Sequence, residues 1–261
     1  MHSQVPCDTK FYTTPCVGVN GSTGVLDGCV GRGGYPDRVT TSLLPSVPTS
    51  ADGPGARGVF VSFEGGDGAG KSTQARLLAD WVRGLGREVV LTREPGGTEL
   101  GRTLRDAVLH GDHVDARTEA LLYATDRAHH VASLVRPALA RGALVVTDRY
   151  LDSSVAYQGS GRDLGADEVE RLNLWATGGL LPHATILLDV DPDVGRTRLT
   201  GQPDRLERAG DDFHRRTRAA FLARAAADPA RWLVLDGTAS PDELARAVRA
   251  RLAPVLGVGA A

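Results

Sequence analysis

The sequence predicts an α/β fold with three layers, a five-stranded parallel sheet with helices on both faces. Three observations predict it. From Gly58 onward, short apolar runs alternate with helix-like segments in the βαβ manner. The apolar runs are continuous, as in Leu144-Val145-Val146 and Ile186-Leu187-Leu188, which suits strands covered on both faces. Polar stretches follow the strands directly, and ligands of parallel sheets bind at the strands' carboxyl ends.

Each element follows in order. Val59 to Phe63 is a short β-rich run and the first strand. The next segment, 71–84, is a helix, because Leu77, Leu78, Trp81, Val82 and Leu85 fall on one helical face. A strand at 88–92 leads to helices at 99–109 and 116–140, then to the apolar strand 143–147. Helix 166–177 precedes strand 184–190. Helices at 192–199 and 212–227 flank a polar stretch, and strand 232–235 with helix 240–252 closes the domain. No internal repeat or second domain is read in this part.

Between the first strand and its helix stands Gly65-Gly66-Asp67-Gly68-Ala69-Gly70-Lys71-Ser72. This matches G-x-x-x-x-G-K-[ST] in the strand–loop–helix context the motif requires, so the fold is of the P-loop NTPase type. In such a loop the glycines let backbone N–H groups converge on a β-phosphate, and a compact ammonium reaches the β- and γ-oxygens. Only two of the chain's 30 basic residues are lysine, and one of them is Lys71. A planar guanidinium would fit that nest badly. Ser72 offers a hydroxyl to Mg²⁺, and the helix N-terminus adds partial positive charge.

Bulk composition sets the limits. The chain has 261 residues, 41% hydrophobic and 24% charged, which suits a globular protein. Residues 1–57 are rich in Gly, Pro, Ser, Thr and Val, hold all three cysteines and show no periodicity. They are expected to be a disordered extension or a start assigned too far upstream, with a single domain at 58–261. Cys7, Cys16 and Cys29 have no metal-site spacing. No signal peptide or membrane span is read. The net charge of −2 argues against a dedicated nucleic-acid surface.

Three further groups of residues carry chemistry. Asp148 ends the third strand, where a P-loop protein commonly places a carboxylate near Mg²⁺, and Arg149 beside it suits phosphate oxygens. Tyr123 and Arg127 lie four apart on a helix, an arrangement able to grip a planar base. By spacing alone, a core tyrosine beside a solvent arginine is the plainer arrangement. Arg205, Arg208, Arg215, Arg216 and Arg218 surround or follow Gly201-Gln202-Pro203-Asp204, which reads as a mobile lid near 200–211. Arginine on a transferring phosphoryl group is worth about 10³- to 10⁵-fold in rate.

Taken together these residues resemble the bacterial thymidylate kinase family, whose members phosphorylate dTMP to dTDP with ATP. The resemblance covers nearly all of 58–252. It rests on FEGGDGAGKST at 63–73, TREPGGT at 92–98, TEALLYATDR at 118–127, DRYLDSSVAYQG at 148–159 and the lid segment 204–218. It implies that Gly65, Gly66, Asp67, Gly68, Ala69, Gly70, Lys71, Ser72 and Thr73 bind ATP, with Mg²⁺ near Ser72 and Asp148. It implies that Asp67 approaches the acceptor's sugar and that Arg149 holds its phosphate, assisted by Arg105 and the turn containing Glu94. Tyr123 takes the place of a stacking aromatic that is usually Phe in the family. Arg127 is expected at a thymine carbonyl, Ser154 and Gln158 at the base edge, and Tyr157 against the 2′ carbon. Because the loop has no basic residue from Gly66 to Ala69, catalytic charge is expected from Arg205 and Arg208, with Glu207 a metal-side carboxylate. Arg196 and Arg198 remain open between the site and solvent. The family also implies a cytoplasmic homodimer whose partners are ATP and dTMP, while the near-neutral charge and the apolar runs, all too short to span a bilayer, give the expectation of no nucleic acid or membrane partner.

Two other readings compete. Another nucleoside or nucleoside monophosphate kinase differs only in its acceptor. A nucleotide-binding module without catalysis would have no need for an acceptor-binding set. The guanine motif N-K-x-D is absent, since Asn20 and Asn173 are the only asparagines and neither precedes lysine.

Overall fold

The computed structural model describes residues 58–200 and 202–258. The expectations for residues 1–57 and their cysteines lie outside these. Strands β1 (Val59–Glu64), β2 (Val89–Arg93), β3 (Leu144–Asp148), β4 (Ala184–Asp189) and β5 (Trp232–Asp236) form one parallel sheet in the order β2-β3-β1-β4-β5. The continuous apolar runs are therefore strands, each within about one residue of its expected bounds. The central strands β1, β3 and β4 are buried along nearly their whole length, while the edge strands β2 and β5 are half-exposed.

Alternate residues of the sheet feed two opposite cores, as the period of a strand requires. On one face Val61, Phe63, Val146, Ile186 and Leu188 pack against helices α1 (Lys71–Gly84) and α9 (Pro241–Leu256) through Leu78, Val82, Val248 and Leu252. On the other, Phe60 and Val145 pack against Val131, Val135, Leu151, Val155 and Val169. Fully burying each such side chain contributes roughly 1.5–3 kcal/mol. A third cluster joins α2 (Glu99–His110), α3 (Ala116–His130) and α8 (Asp211–Ala227) through Val108, Tyr123, Phe213 and Phe221. The remaining helices are α4 (Arg136–Ala140), α5 (Leu151–Ser154), α6 (Ala166–Thr177) and α7 (Pro192–Thr197). Among the described residues no helix is long and apolar enough to cross a membrane.

Three stretches depart from the sequence expectation. The single helix read over 116–140 is interrupted by a π-helical segment, Val131–Val135. Pro137 follows it, and its missing N–H and its ring are incompatible with a regular helix one turn earlier, so the backbone widens there. Helix α5 continues into a second π-helical segment, Val155–Gly161, although Ser153, Ser154, Gly159 and Gly161 are poor helix formers. Burial of Leu151, Val155, Ala156 and Tyr157 holds it. The last helix also runs past 252 to Leu256, carried over Pro254 by the buried Ala253 and Leu256.

Register decides what meets at the functional edge. Phe63 and Arg93 both lie opposite Asp148, so β1, β2 and β3 finish level. Glu64 at the tip of β1, the loop from Gly65 to Gly70, Glu94 and Arg149 are thereby brought to the same edge.

Candidate active site

The loop after β1 turns sharply because of its glycines. Gly65 has φ +132° and Gly68 φ +76°, and a Cβ on either would run into the carbonyl of Leu188 or Gly195. Gly70, in the left-handed region, then opens α1. Lys71 is buried, and its Nζ donates to the carbonyls of Gly66 at 2.7 Å and Gly65 at 3.1 Å. Burial first, and then the Arg149 guanidinium, lower its pKa from the ordinary lysine value. At the first turn of α1, Ser72 Oγ donates to Asp148 Oδ2 over 2.5 Å.

Across the cleft, Arg149 has φ +70°, a left-handed conformation that strains a side-chain-bearing residue by about 1–3 kcal/mol. Its guanidinium donates to Asp67 Oδ1 at 2.5 Å, Gly65 O at 3.1 Å, Ser153 Oγ at 3.1 Å and the Tyr157 hydroxyl at 3.2 Å. It also stacks 4.9 Å from the Tyr157 ring centroid. Burial pushes Asp67 upward, but Arg149 and Lys71 outweigh it and hold the carboxyl down at about 2. Asp67 is therefore an anion at any physiological pH.

The floor is a buried polar network. Arg127 is only 1% exposed, so the plainer expectation of a solvent arginine is overturned. Its Nε donates to Glu94 Oε2 at 2.6 Å, Nη1 to Ser154 Oγ at 2.9 Å and also to Asn173 Oδ1, and Nη2 to Tyr150 O at 3.1 Å. Glu94 also meets His130 Nδ1 at 2.7 Å, and His130 Nε2 lies 2.8 Å from Thr92 Oγ1. Arg105 reaches the same turn through Pro95 O at 3.1 Å. These groups, with Tyr123, Gln158 and the loop, line one cleft of about 420 Å³.

The sequence model of the family described as Thymidylate kinase matches residues 63–248. The chain belongs to the thymidylate kinase family. It is 56% identical over 207 residues to the thymidylate kinase of Clavibacter michiganensis subsp. michiganensis, covering 78% of this chain and 98% of that one. With the thymidylate kinase of Leifsonia xyli subsp. xyli it shares 58% over 212 residues, covering 79% and 98%. The fold is similar to the crystal structure of thymidylate kinase from Ehrlichia chaffeensis, with a TM-score of 0.63 and 30% identity over 75% of this chain and 99% of that chain.

Within this thymidylate kinase cleft the structure gathers the P-loop residues Asp67, Gly68, Gly70, Lys71, Ser72 and Thr73 with Glu94, Arg105, Tyr123, Arg127, Asp148, Arg149, Ser154, Tyr157 and Gln158. It does not bring the expected lid charges there. Arg205 Nη1 pairs with Glu119 Oε2 at 2.8 Å and its Nε donates to Val108 O, because the buried Glu119 carboxylate is the stronger attraction. Arg208 is exposed and donates to Pro203 O. Glu207 accepts the Asp204 N–H at 2.9 Å and lines a second, smaller cavity with Gly65, Gly66 and Asp67 rather than the cleft of Ser72 and Asp148. Arg218 is held by Asp189 and Asp191, and Arg215 by Asp212.

Arg93 and Ser153, to which no role was assigned, occupy the cleft too, and of the two arginines left open, Arg196 and Arg198, only the second is in it. Arg198 donates to Gly237 O at 2.9 Å and lies 3.4 Å from Gly68 O. Arg196 pairs with the exposed Asp193 and Asp211 instead. Glu119, wholly buried, binds Gln158 at 2.8 Å and Arg162 at 3.2 Å as well as Arg205. Glu119 stands within TEALLYATDR, but a lone carboxylate has no spacing signature that would assign it a role. Arg93 and Arg198 did carry a signal, since each stands at or just beyond the end of an element leading to the sheet's functional edge.

Proposed function

We infer that the chain transfers the γ-phosphoryl group of ATP to dTMP, giving dTDP. One observation carries this beyond family membership. The phosphate loop and the side chains of Tyr123, Arg127, Ser154 and Gln158 line a single cleft, as does the Asp67–Arg149 pair. A binding module without catalysis needs only the first of these.

Transfer needs in-line placement, charge neutralisation and exclusion of water rather than a covalent intermediate. Lys71 binds the β- and γ-phosphates, releasing the loop carbonyls it now touches. Arg149 receives the acceptor's phosphate and Asp67 fixes the guanidinium's orientation. Arg105 assists from the Glu94 turn. Tyr123 stacks on the base, while Arg127, Ser154 and Gln158 face its edge and Tyr157 lies under the sugar. Arg205 and Arg208 serve as lid charges once the segment near 200–211 closes, which requires Arg205 to leave Glu119. Arg198, 3.4 Å from Gly68 O, is a second arginine beside the loop in addition to Arg149.

Magnesium, which neutralises phosphate charge when bound, fits Ser72 and Asp148. Their oxygens are adjacent, and Mg²⁺ binds proteins through one or two carboxylates while substrate phosphates and water complete its shell. Among the described residues no cluster of three or more acidic, His or Cys side chains forms a dedicated cage, which agrees with that mode. Glu207 joins this pair only if the lid rearranges. A homodimer is supported by Trp175 on α6, 83% exposed, and Leu121 on the neighbouring α3, 55% exposed. Cytoplasmic placement follows from the family, as does a catalytic domain over 58–261.

The test is ADP release from ATP with dTMP, dUMP, dCMP, dGMP, UMP and thymidine as acceptors. Preference for dTMP is expected. Equal use of another monophosphate would make this a kinase of different specificity, and preference for thymidine would refute the role of Arg149.

A further inference from the structure

Glu64 ends β1 with its carboxyl wholly buried, and the mechanism above gives it no task. Tyr150 N–H donates to its Oε1 at 2.8 Å, and the Ser153 hydroxyl lies 2.6 Å from its Oε2. The same Ser153 oxygen accepts from Arg149 Nη1 at 3.1 Å, and Ser153 lines the cleft beside that guanidinium. Glu64 therefore touches the acceptor end of the cleft through one intervening hydroxyl.

A hydroxyl has one proton and two acceptor positions. When Glu64 is ionised it can only accept, so Ser153 spends its proton on Glu64 and turns a lone pair to the cleft. When Glu64 is neutral it donates, so the Ser153 oxygen accepts from both Glu64 and Arg149 and its own proton points into the cleft. An anionic phosphate needs donors and is repelled by a lone pair. We propose that Glu64 is a positioning residue whose carboxyl sets the direction of the Ser153 hydroxyl, and with it the reception of the acceptor's phosphate. This rests on the dTMP kinase reading and deepens it.

The surroundings favour a switch within the working range. Burial above all, and then the Asp152 carboxylate, push Glu64 up to about 8, against the Ser153 hydrogen bond, the Arg149 charge and the Tyr150 N–H. Lys71 on α1, Asp67 in the loop, Asp148 at the end of β3 and Tyr157 in the π-helical segment are further titratable groups near this cluster. Asp152 is itself paired with Arg224 and Arg231, each at 2.7 Å.

The experiment is steady-state turnover of the full chain at saturating ATP and Mg²⁺, with dTMP varied from pH 7 to 9. The acceptor's phosphate, with a second pKa of about 6, is already a dianion throughout that window. In the wild type the KM for dTMP is expected to rise roughly tenfold, the worth of one charge-assisted hydrogen bond, with kcat changing far less. Glu64→Gln, whose amide donates to Ser153 at every pH, should hold KM flat. Ser153→Ala should raise KM at pH 7 and abolish the slope. A flat wild-type KM, or a slope that persists in either variant, overturns the proposal while leaving the kinase intact. Should Glu64→Gln fail to fold, Ser153→Ala decides alone. Absence of any dTMP-dependent turnover would overturn the function and this inference together.

Discussion

Arg149 Nη2 lies 2.5 Å from Asp67 Oδ1, so the residue that follows β3 is ion-paired with the phosphate loop that follows β1. The strand register makes this possible, since Phe63 and Asp148 are opposite one another. Arg149 is thus oriented before any acceptor arrives. Arg149→Ala should reduce kcat/KM for dTMP by roughly 10³-fold or more, while the affinity for ATP changes by only a few fold. Steady-state kinetics with each substrate varied in turn checks this. A comparable loss of ATP affinity would place Arg149 on the wrong substrate.

Lys71→Ala should leave turnover nearly undetectable. The lysine is buried against the loop, and no other cation of the loop can replace it, since Gly66 to Ala69 include no basic residue. Lys71→Arg is expected to be almost as inactive, because a planar fork does not fit where the ammonium sits between two carbonyls. Substantial activity in the arginine variant would show that charge alone suffices.

Arg127→Ala carries a stability effect as well as a specificity one. Removing the guanidinium leaves Glu94 buried without its main cation, which costs about 3–5 kcal/mol. Chemical denaturation measures it. Ser154→Ala removes a single donor at the base edge and keeps the Arg127–Glu94 pair, so it should lower the preference for thymine over cytosine with a much smaller stability change. Unaltered acceptor preference in Ser154→Ala would remove that residue from base recognition.

Asp126 gives a pH signature of stability. Its Oδ1 accepts the Gly96 N–H, but the buried Oδ2 has no partner among the described residues. Burial, and then Glu94, raise its pKa to about 6 from the ordinary 3.8. A raised folded-state value means that the folded chain holds the proton more tightly, so this contribution is complete below about pH 4 and lost as pH rises through about 6. Asp126→Asn should therefore be more stable than wild type at pH 7.5, by about 2 kcal/mol relative to their difference at pH 4. Urea unfolding at the two values checks it, and an identical difference at both would show that Asp126 does not titrate in that interval.

The sheet and the phosphate loop were legible in the sequence because each signal is local. Continuous apolar runs mark strands, and Gly65 to Ser72 is contiguous. The π-helical segments were not, since Pro137 and the Ser/Gly composition at 153–161 say only that a regular helix is disfavoured. Tyr123 and Arg127 share a helical face as their spacing implies. The burial of Arg127 depends on Glu94, Tyr150, Ser154 and Asn173, which come from three other segments. The lid is the clearest mismatch. Its arginines are visible as a run, but Glu119, more than eighty residues earlier, determines where Arg205 points.

Direct detection of dTDP from ATP, Mg²⁺ and dTMP with the full chain, in the wild type and in Lys71→Ala, tests the central claim. The account predicts stoichiometric dTDP and ADP from the wild type and neither above background from the variant. A folded wild-type chain that binds ATP yet forms no dTDP would contradict it.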